Sequence, residues 1–344
     1  LPATRRGCCG ERSEAVELRG KTALITGGCG LLGSTIADQL LDEGIGRIVV
    51  IDNLTRGTLS NLESATRSGR VALVREDIRD SAAIRPHFDG VDVVFHQAAI
   101  RITACAERPR ECLEVLVDGT FNVLEACVEA KVGRVVAASS ASIYGAADEF
   151  PTREDHHPWG NRTLYGAAKV ANEGMLRAFH DMYGLPYVAL RYFNVYGPRM
   201  DVFGKYTEVL IRWLDCLDRG ERPKIFGDGR TSMDFVFSED VARANVLAAK
   251  SDVADEVLNV ASGTETTLAE LLEALLEVTG QRDVRPDFEP ERKVNPVPRR
   301  LADTEKAART IGFRARVDLH EGLRRLVAWR KEAIATSRWK EYAS

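Results

Sequence analysis

Short apolar runs alternate with stretches of helical period along the first two hundred residues. Residues 21–26 (KTALIT) form a buried-type strand, and a helical pattern follows from Gly33 through Glu43, where Gly44 and Gly46 stop it. Residues 47–51 (RIVVI) are a second strand closed by Asp52. Residues 71–74, 91–95, 134–138 and the end of 183–190 read as further strands, with helices over 112–130 and 163–183. Strands that are apolar at nearly every position are buried on both faces, which requires helices above and below them. The pattern predicts an α/β fold with a doubly wound parallel sheet, whose ligands lie beyond the carboxyl ends of the strands. Asp52, Asp77, Ala98, Ser140 and the run from Arg191 to Asn194 all fall there.

From Met200 the pattern is less regular. A helix is expected over 207–219, a loop over 223–229, and strands over 234–237 and 257–260 that return to the sheet. Thr267 and Glu270 make a capping box for a helix that Gly280 closes. A link over 282–300 carries Pro286, Pro290, Pro296 and Pro298, and two helices finish the chain. The expected division is a flexible tail over 1–19, a nucleotide-binding unit over 20–199 to which 234–261 returns, and a smaller α/β unit from 200–233 and 262–344.

Composition narrows the class. With 344 residues, 44% of them apolar, and a net charge of −4, the chain has the make-up of a soluble globular protein without a polyanion-binding face. No apolar run reaches membrane length, and the leader, with Arg5, Arg6 and Arg12, lacks a signal-peptide core, so a cytoplasmic protein is expected. The seven cysteines lack zinc spacing and are expected to be reduced thiols. His156-His157 shows no acidic partner at ligand spacing, so no metal is expected. His96 reads as a hydrogen-bonded structural residue, and Asp215, Asp218 and Glu221 as a solvated helix face.

Candidate chemistry sits in two places. Glycines 27, 30 and 33 follow a strand and open a helix, and Asp52 stands nineteen residues after Gly33. That context fits a dinucleotide: a tight turn, close backbone approach to a pyrophosphate, and an acid for the ribose hydroxyls that disfavours a 2′-phosphate, hence NAD rather than NADP. Further on, Tyr165 and Lys169 lie one helical turn apart on a shared face. A cation beside a phenol lowers its pKa toward the working range of a base.

Assembled, the motifs resemble those of the extended short-chain dehydrogenase/reductase family, in particular its nucleotide-sugar epimerases and dehydratases. The resemblance runs from about Gly20 to Arg330 through TGGCGLLG, HQAA, SSASIYG, YGAAK, RYFNVYGPR and GDGRTSMDFVFSEDVA. It implies an NAD site of Gly27, Gly30, Leu31, Leu32, Asp52, Asn53, Asp77, Ile78, Gln97, Ala98, Ala99 and Tyr192, with Tyr165 as base and Lys169 on the nicotinamide ribose. It implies a nucleotide-sugar site of Arg101, Ser140, Ser142, Tyr165, Asn194, Arg199, Phe226 and Arg300, in which Ser140 contacts the sugar O4, Phe226 the base and Arg300 a phosphate.

Some positions depart from the family pattern. Leu116 replaces a usual Asn, and Met233 an Arg that contacts the diphosphate, a role left to Arg212, Arg230, Arg299 or Arg300. Met200-Asp201 stands where some hexuronate epimerases carry another Arg. Ala141 and Ser142 occupy positions where dehydratases, and at the second position decarboxylases, carry acids, so the kit suits reversible oxidation at one carbon, as in a 4-epimerase. The pattern is most similar to UDP-glucuronate 4-epimerases, with Arg101, Arg191 and Arg199 as cations for a C6 carboxylate. UDP-glucose/UDP-galactose interconversion is the close alternative, then a decarboxylase or dehydratase, then a non-catalytic NAD-binding module. The family also implies a homodimer built on helices 112–130 and 163–183, where Leu113, Leu116, Leu176 and Phe179 serve either interface or core.

Overall fold

A computed structural model describes residues 17–202, 208–291 and 297–336. Its centre is a seven-stranded, wholly parallel sheet in the order β3-β2-β1-β4-β5-β6-β10. The strands are β1 Thr22–Thr26, β2 Arg47–Ile51, β3 Val71–Val74, β4 Val93–His96, β5 Arg134–Ser140, β6 Tyr187–Tyr192 and β10 Glu256–Val260. The chain order reverses between β1 and β4, and the crevice opens at that switch point.

Alternation along each strand divides the core into two layers. Ala23, Ile25, Val50, Phe95 and Leu190 pack on the Leu31–Asp42 and Ser238–Lys250 helices. Leu24, Val49, Val94, Val135 and Ala189 pack on the other face against Val123, Leu124, Leu176 and Phe179 of the Gly119–Glu129 and Leu164–Tyr183 helices. The helix expected over 112–130 begins earlier, at Pro109–Leu113, widens into a π-helical turn over Glu114–Asp118, and continues as Gly119–Glu129. Leu116, Leu176 and Phe179 belong to the core, whereas Leu113 is exposed.

The later chain differs from expectation at several points. The predicted strand over 234–237 is part of β9 (Ser232–Phe237), which does not return to the large sheet. It is the middle of a separate three-stranded sheet between β7 (Asn194–Tyr196) and β11 (Glu265–Thr267). The supposed loop over 223–229 contains β8 (Lys224–Phe226), paired in parallel with β12 (Asp287–Glu289) inside the supposed proline link. Residues 1–16 of the predicted tail and Thr207, the predicted helix start, lie outside the described residues. Residues 18 and 19 are not tail-like: Leu18 is buried and Arg19 bridges Ile45. The Thr267–Glu270 capping box is present, and Gly280 closes that helix at φ 73°.

A third core joins the Val209–Asp218, Leu268–Thr279 and Leu319–Ala335 helices through Trp213, Leu214, Leu271, Leu275, Leu323 and Leu326. Asp215 and Asp218, expected to be solvated, instead hold the buried guanidinium of Arg330, with Asp215 at 2.5 Å.

Candidate active site

The turn after β1 builds the first wall. Gly27 adopts φ +69°, and a Cβ there would stand 2.8 Å from the Ala98 backbone at the end of β4. At Gly33 a Cβ would stand 2.4 Å from the Gly27 carbonyl, so the helix can pack this close only without a side chain. Gly30 begins the Leu31–Asp42 helix with no side-chain cap, so the first N–H groups of that helix, near Leu31 and Leu32, remain free to meet an anion in the crevice.

Asp52, just past β2, is 8% exposed and accepts the N–H groups of Cys29 (2.9 Å) and Leu54 (2.8 Å). Burial raises its pKa while those two backbone donors oppose the rise. A carboxylate with further lone pairs at this strand end fits ribose hydroxyls. Asn53 donates to Asp77 at 2.8 Å, and Arg79 forks onto the same carboxylate at 3.0 and 2.8 Å. That fork first, then the other donors, hold the Asp77 carboxyl down to about 2. Ile78, buried beside it, completes an apolar and acidic edge.

Gln97, Ala98 and Ala99 continue the crevice beyond β4. Gln97 donates to Asn245 and accepts from the Tyr192 hydroxyl, each at 3.1 Å, while Ala98 N–H donates to Thr26 Oγ1. His96 lies behind them. The Thr120 hydroxyl donates to the Leu116 carbonyl, so His96 Nε2 is the donor toward Thr120 (3.0 Å), and Nδ1 accepts from Thr26 (2.8 Å). Burial first, then the Lys169 charge, push this imidazole down to about 3, which keeps it neutral.

The reactive groups meet beyond β5. Ser140 pairs in register with Tyr192 of β6, and its Oγ accepts the Ser142 N–H at 3.1 Å. Thr163 caps the Leu164–Tyr183 helix through the Gly166 N–H and sets the phase that turns Tyr165 and Lys169 inward. Tyr165 lies close enough to Ser140 for that hydroxyl to lower the pKa of the phenol. Lys169 is 2% exposed, donates to the Ala138 carbonyl at 2.7 Å, and lies 5.9 Å from the centre of the Tyr165 ring. The balance at the phenol differs from expectation. Burial dominates and pushes Tyr165 up to about 12, against the lowering effects of the Ser140 hydroxyl, Arg56 and Arg300. Burial also pulls Lys169 down to about 8.

The nucleotide-sugar candidates are distributed differently. Arg101 and Arg199 line the same crevice as Tyr165. Arg199 donates to Asp38 at 2.5 Å, and Arg101 faces Asp201 and Glu208 at 3.6 and 3.9 Å. Arg300 lies close enough for its charge to act on Tyr165, and its buried Nε finds no partner among the described residues; burial pushes it down to about 10. Asn194, in β7, directs its amide to the Asp234 carbonyl at 3.2 Å. Ser142 is buried just past Ser140, and Phe226 lies on β8 opposite Glu289, apart from the crevice lining.

Arg191 is not a cation for a substrate carboxylate. It is 7% exposed and forks onto the equally buried Glu173 at 2.9 and 2.7 Å, while Ser139 donates to the same carboxylate at 2.6 Å. Of the proposed stand-ins for the missing arginine at Met233, Arg299 is held by Glu265 at 2.8 and 2.7 Å and Arg230 by Asp228 at 3.6 Å. Arg56 escaped sequence reasoning. It projects from the loop after β2 into the crevice beside Arg101, and the crowded surroundings followed by the Arg101 charge push it down to about 10. Its place five residues beyond the carboxyl end of β2 was the available signal.

The cradle at Gly27, the uncapped helix start and the Asp52 carboxylate together fit a dinucleotide. Residues 23–261 match the NAD-dependent epimerase/dehydratase family model. The UDP-glucose 4-epimerase of Mycolicibacterium smegmatis is 36% identical over 88% of this chain and 96% of its own. The structure of UDP-glucose 4-epimerase from Thermotoga maritima with UDP-glucose is 33% identical, covers 91% of this chain and 99% of its own, and superposes with a TM-score of 0.85. A Tyr-to-Phe variant of UDP-glucuronic acid 4-epimerase from Bacillus cereus, solved with UDP-4-deoxy-4-fluoro-glucuronic acid and NAD, is 26% identical, covers 90% and 99%, and gives 0.83.

Proposed function

The chain belongs to the NAD-dependent epimerase/dehydratase family, and on that footing we propose that it interconverts the C4 epimers of a UDP-hexose, UDP-glucose and UDP-galactose in the first place. It is an isomerase of nucleotide sugars with NAD as cofactor. The observation that carries the C4 assignment is Ser140 beside Tyr165, with Lys169 behind the phenol and only Ala141 and Ser142, neither of them an acid, next in line. One hydroxyl, one phenol and one ammonium serve a single carbon; loss of water or carbon dioxide needs more.

Ser140 orients the sugar O4 toward Tyr165, and Tyr165 takes its proton. Bound in the crevice, NAD would supply the acceptor for the C4 hydride and the donor for its return. Lys169 steadies the phenolate and the nicotinamide ribose, Asp52 holds the adenosine ribose, and Asp77 and Ile78 flank the adenine. The 4-keto sugar must turn its other face before Tyr165 gives the proton back, so the nucleotide is gripped and the sugar is not. Residues 20–199 with 234–261 are proposed to hold the cofactor, and 200–233 with 262–344 the nucleotide sugar. For the nucleotide sugar, Phe226 serves the base, Asn194, contributed by the cofactor unit, the diphosphate, and Arg300 the phosphate charge left unserved by Met233.

Support for a neutral hexose comes from the arginines: Arg191 is committed to Glu173, Arg199 to Asp38, and Arg101 faces Asp201 and Glu208. UDP-glucuronate is the second reading, and it rests on Arg300, whose unpartnered Nε near Tyr165 suits a carboxylate as well as a phosphate. The deciding experiment incubates the protein with UDP-glucose, UDP-galactose and UDP-glucuronate and separates the C4 epimers. Faster conversion of the glucuronate overturns the hexose assignment. Release of carbon dioxide or a 4-keto-6-deoxy sugar overturns epimerisation.

A further inference from the structure

Between Ser140 and the helix that carries Tyr165 runs a segment whose side chains are not used in the chemistry above. It holds Asp148, His156 and His157, whose ligating atoms all lie within 4.8 Å of one another. The sequence analysis found no acidic partner for the two histidines. Asp148, eight residues upstream, is that partner, brought back by the turn of the segment.

The hydrogen bonds around His156 fix its protonation pattern. Nδ1 lies 2.7 Å from the backbone carbonyl of His157, an acceptor only, so Nδ1 carries a proton and donates it. Nε2, the remaining ligating atom, faces Asp148 Oδ1 at 2.7 Å and is approached by the Asp148 N–H at 3.4 Å. A positive centre between imidazole and carboxylate, a proton or a metal ion, suits that spacing. A carbonyl on the far nitrogen is also the usual way a metal-binding imidazole is oriented. His157 adds a second imidazole, with Nε2 3.4 Å from Asp148 Oδ2.

We propose that Asp148, His156 and His157 form a binding site for one divalent transition ion of the zinc class. Two imidazoles and a carboxylate are a borderline donor set that suits zinc and is poorly matched to magnesium or calcium. Zinc bonds of about 2.0–2.1 Å at tetrahedral angles set ligand atoms roughly 3.3 Å apart. The two imidazoles lie 2.7 and 3.4 Å from the two different oxygens of Asp148, and all the ligating atoms lie within 4.8 Å of one another, so the exposed Asp148 and His157 side chains shift to meet one ion. One ligand is already held: the His156 side chain is 3% exposed and packs edge-on against Tyr144, ring centres 5.8 Å apart. The other two, 68% and 45% exposed, leave the ion a path from solvent and room for a water as fourth ligand.

The position gives the ion a role. Glu154, between the ligands in sequence, accepts from Arg191 through its carbonyl and from the Asn259 N–H through its carboxylate, and Tyr144 donates to Asn259. An ion at Asp148 fastens the outer end of this network and so the segment between the two catalytic elements. It is a structural site that takes no part in hydride or proton transfer.

The test uses the untagged full chain, stripped with chelator and dialysed, titrated calorimetrically with zinc chloride. One zinc per chain is expected, with no uptake of magnesium and a zinc-dependent rise in melting temperature. Asp148→Asn and His157→Ala each weaken zinc at least about tenfold, by analogy with the cost of losing even a supporting group, and abolish the thermal shift. Both side chains are exposed, so both variants fold. Cobalt(II) added to the wild type gives visible d–d absorption without a sulfur charge-transfer band. No zinc uptake, which leaves only an imidazolium–carboxylate pair, overturns the proposal. So does uptake unchanged in both variants, or a charge-transfer band that locates the ion on cysteine.

Discussion

At the scale of single residues, the phenol and the ammonium are both displaced toward their neutral forms. Tyr165→Phe keeps the ring and its packing but removes the proton acceptor. Turnover with the preferred UDP-sugar is expected to fall about 10²–10⁴-fold, while calorimetric affinity for the nucleotide sugar stays near that of the wild type. Near wild-type turnover would end the assignment of Tyr165 as base. Lys169 makes a prediction about stability as well as rate. Its pKa is lowered in the folded state from 10.5 to about 8, so the unfolded chain binds more protons between those values. The wild type therefore gains stability relative to Lys169→Met as pH rises from 8 to 10.5, by on the order of 2 kcal/mol. Urea unfolding of both proteins at pH 7.5 and 10 reads the difference. A wild type that gains no stability relative to Lys169→Met between pH 7.5 and pH 10 contradicts the buried-lysine balance.

At the scale of elements, the Gly-rich turn and the helix pair around Arg330 give the sharpest tests. Gly33→Ala places a methyl 2.4 Å from one backbone atom and 2.6 Å from another, and neither can move as a side-chain tip would. The cost is about 1–3 kcal/mol, read as a lower melting temperature together with loss of NAD released on denaturation. Arg330→Met strands Asp215 and Asp218 beside an apolar stem. A loss of about 1–3 kcal/mol is expected, less than for a fully buried pair because Asp218 is half exposed. An unchanged denaturant midpoint would return both acids to the solvated face the sequence suggested. The same elements explain what sequence reading reached. The strands of the large sheet announce themselves because most of their positions are apolar, as burial by helices on both faces requires, and the Gly27–Gly33 turn because its spacing serves backbone geometry. β8 and β12 have three residues each, too few to carry a period, and Pro223 and Pro286 beside them read as loop. β9 was recognised as a strand, but its alternating burial suits a small sheet, and pairing partners are not written in one strand's pattern. At the site, Tyr165 and Lys169 were legible from helical spacing. The ion pair of Arg191 with Glu173 was not, because it depends on which strand face meets which helix face.

At the scale of the whole molecule, the helices flanking β5 leave apolar side chains in water: Leu113 is 36% exposed, Phe121 43%, Leu164 42% and Met182 49%. We propose that this face is the homodimer interface, as a two-fold pair of the helices over 109–129 and 164–183. Phe121→Glu is expected to convert a dimer to a monomer in sedimentation velocity at micromolar concentration. A wild type that sediments as a monomer refutes the interface. Among the described residues, no helix is long and apolar enough to cross a membrane.

The pairing of β10 with β6 has a further consequence, in the order of synthesis. Between Tyr192 and Glu256 the chain leaves the large sheet to build β7, β8 and β9, and only then returns to cover the edge of β6. At ribosomal speeds of about 5–20 residues per second, that edge waits roughly 3–14 s after β6 emerges before its neighbour is made. During the wait it is a row of unpaired backbone donors and acceptors on a buried-type strand, a template for another nascent chain. A transcript truncated before Glu256 should yield aggregate rather than a soluble cofactor-binding half, whereas one ending after Val260 carries a closed sheet.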